Sequence, residues 1–211
     1  MGLIIALNKG RILEEALPML AKCNIALSEN HKNSRKLVFS SAGGEHKVIV
    51  VRGTDVPTYV ENGIADIGIT GKDTILESDS LEGFYELLDL RIGVCRLSVA
   101  GVAGVAEPDQ GLRVATKFVK SAKAFYEGLG REVSLIKLSG ALEIAPVLGL
   151  SDVIVDIVES GETLKANGLE EREKLCDISA RVIVNRASMK TKYTEIQDLM
   201  AGLKQVLETA S

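Results

Sequence analysis

Residues 143–164, E-I-A-P-V-L-G-L-S-D-V-I-V-D-I-V-E-S-G-E-T-L, constrain the fold more than any other part of this chain. A short helical run holding Glu143 ends in a turn at Gly149 to Ser151. A fully apolar strand, Val153-Ile154-Val155, follows and carries Asp156 near its end. The chain then crosses Glu159-Ser160-Gly161-Glu162-Thr163 into the start of a new helix. Such apolar runs between helices suit buried parallel strands covered by helices. A strand, a Ser/Gly/Thr loop and a helix start in this order also aim free backbone N–H groups at a phosphate. Asp156 and Glu159 lie just upstream, as carboxylates able to accept hydrogen bonds from a ribose diol. Phosphate donors beside sugar acceptors read as a ribose 5-phosphate site. For a bare S-G-x-T, an N-cap by Ser160 with Gly161 in a turn is the commoner reading.

Strands and helices alternate along the rest of the chain. Leu3 to Leu7 reads as a strand, and Ile12 to Lys22 as a helix with Ile12, Leu13, Ala16, Leu17 and Leu20 on one face. Val48 to Val51 is the next strand, followed by a helix from Val56 to Asn62 that Gly63 caps. Ile67 to Thr70 is a strand stopping at Gly71, with a short helix from Lys72. The pattern restarts near Arg91. Strands at Arg113–Thr116, Val133–Leu138 and Val153–Val158 alternate with helices at Ser121–Leu129, Leu142–Leu148 and Gly161–Asn167. Asp177 to Asn185 reads as a strand leading back to the first lobe. The final helix presents Ile196, Leu199, Met200, Leu203, Val206 and Leu207 as one stripe. The fold class expected is α/β: two lobes of mostly parallel sheet with flanking helices and a cleft between them. Residues 1–90 with 178–211 form the first lobe and residues 91–177 the second.

The 211 residues are 46% hydrophobic but only 4% aromatic, with no Trp, so Val, Ile, Leu and Ala must build the core. A net charge of −4 argues against general nucleic-acid binding, and an anionic substrate would depend on a few placed Lys and Arg. Cys23, Cys95 and Cys176 are too scattered for a disulfide framework or a zinc site, and Cys95 and Cys176 read as core thiols. His31 and His46 fall in polar stretches and are expected to be exposed. The chain shows no signal peptide and no run near the roughly 20 apolar residues of a membrane span. A soluble cytoplasmic protein is expected.

The spacing Glu143, Gly149, Ser151, Ile154, Asp156, Ser160, Gly161, Thr163, Leu164 resembles the signature of the ATP phosphoribosyltransferases, the first enzymes of histidine biosynthesis. Lys9-Gly10-Arg11, Ser34-Arg35-Lys36 and the block from Arg52 to Asp73 agree with that resemblance, which covers essentially the whole chain. One departure is Asn8, where many relatives carry proline. The resemblance implies a type II periplasmic-binding-protein architecture. It also implies a magnesium-dependent glycosyltransferase that joins N1 of ATP to C1 of 5-phosphoribosyl 1-pyrophosphate and releases pyrophosphate. The Mg²⁺ would be held mainly through the substrate diphosphate, with no protein metal cluster.

In that scheme Arg11, Arg35 and Asp156 are the candidate catalytic residues. Lys9, Gly10, Lys36, Arg52, Asp73, Glu159, Ser160, Gly161, Glu162, Thr163 and Leu164 are the candidate substrate-binding residues. Asp156 would take the ribose hydroxyls. Glu159 either helps it or faces solvent. Ser160, Gly161 and Thr163 would hold the 5-phosphate. Lys9 and Arg11 suit a diphosphate or the ATP phosphates, pairing a mobile point charge with a fork of donors. Arg35 and Lys36 lie in a polar loop that would otherwise read as solvated surface, and the resemblance makes them phosphate contacts. Glu143 meets the adenine or phosphates indirectly, or only caps its helix. Gly71-Lys72-Asp73 is not a Walker A loop, which would need Gly at Asp66 and Ser or Thr at Asp73. ATP would thus act through its base.

Two other readings share these features. A phosphoribosyltransferase using a nucleobase would carry a similar acidic pair and loop, but on one sheet with a hood, leaving the Arg52–Asp73 block unexplained. A two-lobed binding or sensor protein would share the fold, without reason to carry Lys9, Arg11, Arg35 and Asp156 together. The chain stops after its amphipathic helix, so the resemblance is to the short form of the family. That form implies a homodimer and a hetero-oligomer with a histidyl-tRNA-synthetase-like regulatory subunit.

Overall fold

The computed structural model describes residues 2–79 and 82–209. In chain order the elements begin β1 (Ile4–Asn8), α1 (Arg11–Lys22), β2 (Val38–Ser40), β3 (Lys47–Val51), α2 (Val56–Glu61), β4 (Ile67–Gly71), α3 (Lys72–Leu76) and β5 (Phe84–Asp89). They continue with β6 (Cys95–Val102), β7 (Leu112–Thr116), α4 (Val119–Gly128), β8 (Val133–Lys137), α5 (Ile144–Val147), β9 (Val153–Val158), α6 (Glu162–Ala166) and β10 (Leu169–Ile178). β11 (Ala180–Asn185), α7 (Arg186–Thr191) and α8 (Tyr193–Thr209) close the series. The chain forms two compact units, Met1–Gly93 with Ser179–Ser211, and Val94–Ile178.

The first unit is built on a sheet ordered β2-β3-β1-β4-β11-β5. Its centre, β3-β1-β4, is parallel, while β2, β11 and β5 join antiparallel. Alternate residues of β1 feed opposite faces. Ile5 and Leu7 enter a core with Leu13, Ala16 and Leu20 of α1 and Ile196, Leu199 and Leu203 of α8. Ala6 enters the core on the other face, with Val56 and Val60 of α2. The α8 stripe read from the sequence is thus the surface that closes this core. Asp66, at the entry to β4, locks the termini. It accepts from the Ile4 amide (2.8 Å), the Ser188 hydroxyl (2.6 Å) and the Lys192 ammonium (2.7 Å).

The second unit has a sheet ordered β10-β6-β9-β7-β8. Here β9-β7-β8 is parallel, and β6 and β10 are antiparallel additions. Val153 and Val155 of β9 pack toward Phe118, Ala122 and Tyr126 at α4. Ile154 and Val158 pack with Ala145 of α5 and Leu164 of α6. Asp156 lies between these last two in the alternation, so it belongs to the face that α5 and α6 cover.

Several expectations need correction. Both sheets are mixed, with parallel centres and antiparallel flanks, rather than mostly parallel. The segment 177–185 is two strands in different sheets, divided at Ser179, and β2, β5, β6, β10 and α7 match no element expected from the sequence. Cys95 and Cys176 are half-buried at the margin of a core. The histidines are not free surface groups either. His46 Nδ1 accepts the Leu3 amide at 3.1 Å, and half-buried His31 sits 2.8 Å from Glu14.

Candidate functional site

Two clefts collect most of the candidate residues, one in each unit. The cleft in the second unit has a volume of about 270 Å³ and is lined by Glu143, Asp156, Ile157, Val158, Glu159, Ser160, Gly161, Thr163 and Leu164. β9 delivers Asp156 to it, and the turn after β9 supplies the wall. Gly161 makes that turn possible: its φ of +80° is the left-handed region that costs an L side chain its Cβ clearance. The Ser160 hydroxyl oxygen accepts the Glu162 amide at 3.3 Å, leaving the hydroxyl hydrogen able to donate outward. Thr163 and Leu164 stand in the first turn of α6, where N–H groups have no partner inside the helix. The Leu164 side chain is buried in the core, so only its backbone can serve the cleft. Glu162 does not line the cleft.

Asp156 is a half-buried carboxylate whose contacts with Ile157 and Lys117 fall on one oxygen. One oxygen, Oδ1, accepts the Ile157 amide at 2.8 Å, and the Lys117 ammonium stands 3.7 Å from it. Burial pushes its pKa above the usual carboxylate range. The Ile157 amide and Lys117 pull it back down, while the negative charge of Glu143 adds to the rise. Such a group gains from any hydroxyl or cation that approaches its charge. Lys117 also lies 4.8 Å over the Phe118 ring. It comes from the turn after β7, the strand paired with β9, and its position after Thr116 is the sequence signal for it. The loop is further held from β6, where Arg96 Nη1 donates to the Glu159 carbonyl at 3.0 Å. Arg96 carries no sequence signal, since only the strand pairing brings it near.

The cleft in the first unit, about 330 Å³, is lined by Lys9, Leu13, His31, Ser34, Arg35, Lys36, Leu37, Phe39 and Val50. Three candidate cations converge there on an apolar floor. Lys9 follows β1 with its amide bonded to the Val51 carbonyl at 2.9 Å. The 29–37 loop carries the others and is tied by acids: Lys36 to Glu29 at 2.7 Å, Lys32 to Glu14 at 2.9 Å. Arg11 does not line this cleft; its guanidinium pairs with Glu15, one helical turn on, at 3.3 Å. Gly10 is the N-cap position of α1, with φ of +108°. Arg52 precedes a short 3₁₀ turn at Gly53–Asp55, and Asp73 lies in the first turn of α3. Neither lines either cleft. No group of three or more His, Cys, Asp or Glu placed to hold a metal occurs among the described residues, nor any helix long and apolar enough to cross a membrane.

Two units, each a mixed sheet with flanking helices, define a two-unit α/β protein. The comparisons narrow the class. The HisG family profile, described as ATP phosphoribosyltransferase, matches residues 52–205. An ATP phosphoribosyltransferase of a Marinomonas species is 51% identical over 206 residues, covering 98% of this chain and 96% of the relative. One from Saccharophagus degradans is 54% identical over 205 residues, covering 97% and 96%. Among solved structures, the ATP phosphoribosyl transferase (HisG:HisZ) complex from Thermotoga maritima aligns with a TM-score of 0.83 and 33% identity, covering 98% of this chain and 99% of that one. The periplasmic aliphatic sulphonate binding protein SsuA of Escherichia coli shares the fold, with a TM-score of 0.63 at 15% identity over 98% of this chain and 72% of that one. The chain belongs to the ATP phosphoribosyltransferase family.

Proposed function

We propose that this chain is the catalytic subunit of an ATP phosphoribosyltransferase. It joins N1 of ATP to C1 of 5-phosphoribosyl 1-pyrophosphate and releases pyrophosphate, the first step of histidine biosynthesis. The observation that carries the reading is the second-unit cleft, where a half-buried carboxylate of raised pKa adjoins the first turn of a helix. As the bond from C1 to the diphosphate oxygen breaks, its electron pair leaves with pyrophosphate, and the N1 lone pair forms the new bond. Positive charge builds on the sugar and negative charge on the leaving group, so fixed opposite charges lower the barrier. The Asp156 carboxylate accepts the ribose hydroxyls, with Glu159 beside it, and its charge favours the cationic sugar. The amides of Gly161, Thr163 and Leu164 and the hydroxyls of Ser160 and Thr163 hold the 5-phosphate. Glu162 serves through the turn it closes.

Lys9, Arg35 and Lys36 take a polyphosphate in the first-unit cleft, Gly10 letting the backbone turn beside them. Arg11 joins them by exchanging Glu15 for phosphate, while Arg52 and Asp73 are placed at strand ends as outer contacts. Magnesium fits this donor set as an ion carried by the substrate. Asp156 already faces the Lys117 ammonium, which opposes a second cation at the same oxygen. Bound to the diphosphate, the ion neutralises leaving-group charge. The loop-bearing lobe expected at residues 91–177, and the other at residues 1–90 with 178–211, differ by at most three residues from the compact units of the fold. The chain works in the cytoplasm as a homodimer within a hetero-oligomer. Its partner there is a histidyl-tRNA-synthetase-like regulatory subunit, a reading supported by the HisG:HisZ complex from Thermotoga maritima.

The test is pyrophosphate release from labelled 5-phosphoribosyl 1-pyrophosphate with Mg²⁺. Release that requires ATP is the expected result. Release with a free nucleobase in place of ATP, or none at all with either acceptor, contradicts the assignment.

A further inference from the structure

Arg96 enters the sugar-donor loop from a neighbouring strand. It stands opposite Val158, the last residue of β9, and Ser98 stands opposite Asp156. Directly opposed residues share a face, so Arg96, Ser98, Asp156 and Val158 form one patch. The Arg96 guanidinium uses Nε and Nη2 on the two carboxylate oxygens of Glu171, from β10. Its third nitrogen, Nη1, donates to the Glu159 carbonyl at 3.0 Å. Glu171 is itself fixed by the buried Ser98 hydroxyl, which donates to Oε1 at 2.8 Å. The Glu171 pKa is drawn down, first by Arg96, and the Arg96 pKa is raised, first by Glu171.

A bidentate pair fixes the plane of the guanidinium, and that plane fixes where Nη1 points. The bonds that shape the turn from within are local, from Glu162 to Ser160 and from Lys165 to Gly161. Arg96 adds a brace from 63 residues away, at the residue where the loop leaves the sheet. The two charges cancel at close range, so the pair offers the substrate little net field. What it offers is direction.

We propose that Arg96, aimed by Glu171 and Ser98, is a positioning residue that holds the Glu159 carbonyl and thereby sets the loop for the sugar donor. The inference rests on the reading of that loop given above. Lysine at position 96 can keep an ion pair with Glu171 but cannot also reach the Glu159 carbonyl in a fixed plane. Arg96→Lys therefore raises KM for 5-phosphoribosyl 1-pyrophosphate about tenfold, since small misplacements of a positioned group carry costs of this order. KM for ATP stays unchanged and kcat changes less than KM. Glu171→Gln raises the same KM by roughly three- to fivefold, because the fork loses its charged anchor. A merely structural pair, half-exposed as this one is, would shift melting alone.

The experiment is steady-state kinetics of Arg96→Lys, Arg96→Ala, Glu171→Gln and Thr163→Ala, with both substrates varied and melting temperatures recorded. A wild-type donor KM in Arg96→Lys and Arg96→Ala overturns the proposal, as does an equal rise in both KM values. A fall in donor KM in Glu171→Gln also overturns it, because a released Arg96 charge would then bind phosphate directly. Thr163→Ala separates the two levels. If its donor KM is also unchanged, the reading of the loop fails; if it rises while the Arg96 variants do not, only the brace fails.

Discussion

Asp66 and Asp156 make the instructive pair in this molecule. Each is an aspartate flanked by apolar residues, Asp66 just before β4 and Asp156 within β9, and each lies near a cation. Asp66 spends both oxygens on the protein, with an amide, a hydroxyl and an ammonium all within 2.8 Å. Asp156 accepts the amide next to it, and its cation stays at 3.7 Å. Burial without full compensation leaves Asp156 with a raised pKa. A carboxylate satisfied on every side holds a fold together; one left short of partners is disposed to recruit a ligand. The difference in partners, not in residue type, sets the two aspartates apart.

Opposite variants should split the pair. Asp66→Ala leaves the Lys192 charge and the Ile4 amide without their acceptor, so it should cost about 3–5 kcal/mol of stability. That is a drop on the order of 10 °C in melting temperature by calorimetry, with turnover per folded molecule little changed. Asp156→Ala should do the reverse, lowering kcat/KM by about 10³-fold with circular dichroism unchanged. A melting loss in Asp156→Ala as large as that in Asp66→Ala would erase the contrast.

Smaller effects sharpen it. Arg35→Ala should lower kcat/KM roughly 10- to 100-fold. Because its cleft is built from exposed cations, added salt should weaken substrate binding there more than at the loop of the second unit. Parallel KM measurements across a sodium chloride series check this. The smallest effect concerns pH. With its folded pKa above the unfolded value, Asp156 binds more protons in the native state between the two. Its contribution to stability is therefore best below the unfolded value and declines as pH rises toward the folded one. Asp156→Asn should remove that decline and raise the neutral-pH melting temperature by about 1–3 °C. A lower melting temperature at neutral pH would show that the charge is fully compensated.

The parts legible in the sequence are those whose information is local. Val153 to Val158, the turn at Gly161 and the α8 stripe are contiguous patterns, and each element lies where its pattern places it. β10 was not legible, since L-E-E-R-E-K-L-C-D-I pairs only with β6 and breaks its register twice. Its charges suit an edge strand that must not recruit another chain. α7 is six residues long and rests on the Asn185 side chain, which accepts the amides of Ala187 and Ser188. Six residues are too few for a helical period to declare itself. In the candidate site, the same division holds. Asp156 and the S-G-E-T turn share one short segment and Lys117 directly follows its strand, whereas Arg96 reaches them only through strand pairing. Arg11 shows what charge reading leaves out, since its guanidinium pairs with Glu15, a contact that phosphate would have to displace.

Equilibrium titration of 5-phosphoribosyl 1-pyrophosphate with Mg²⁺ into the native chain and the Asp156→Asn and Thr163→Ala variants bears most directly on the loop. Affinity should fall at least tenfold in both folded variants, each having lost one charged or positioned contact to the donor. Undiminished affinity in both would mean that the turn after β9 is an ordinary helix cap and that the donor binds elsewhere.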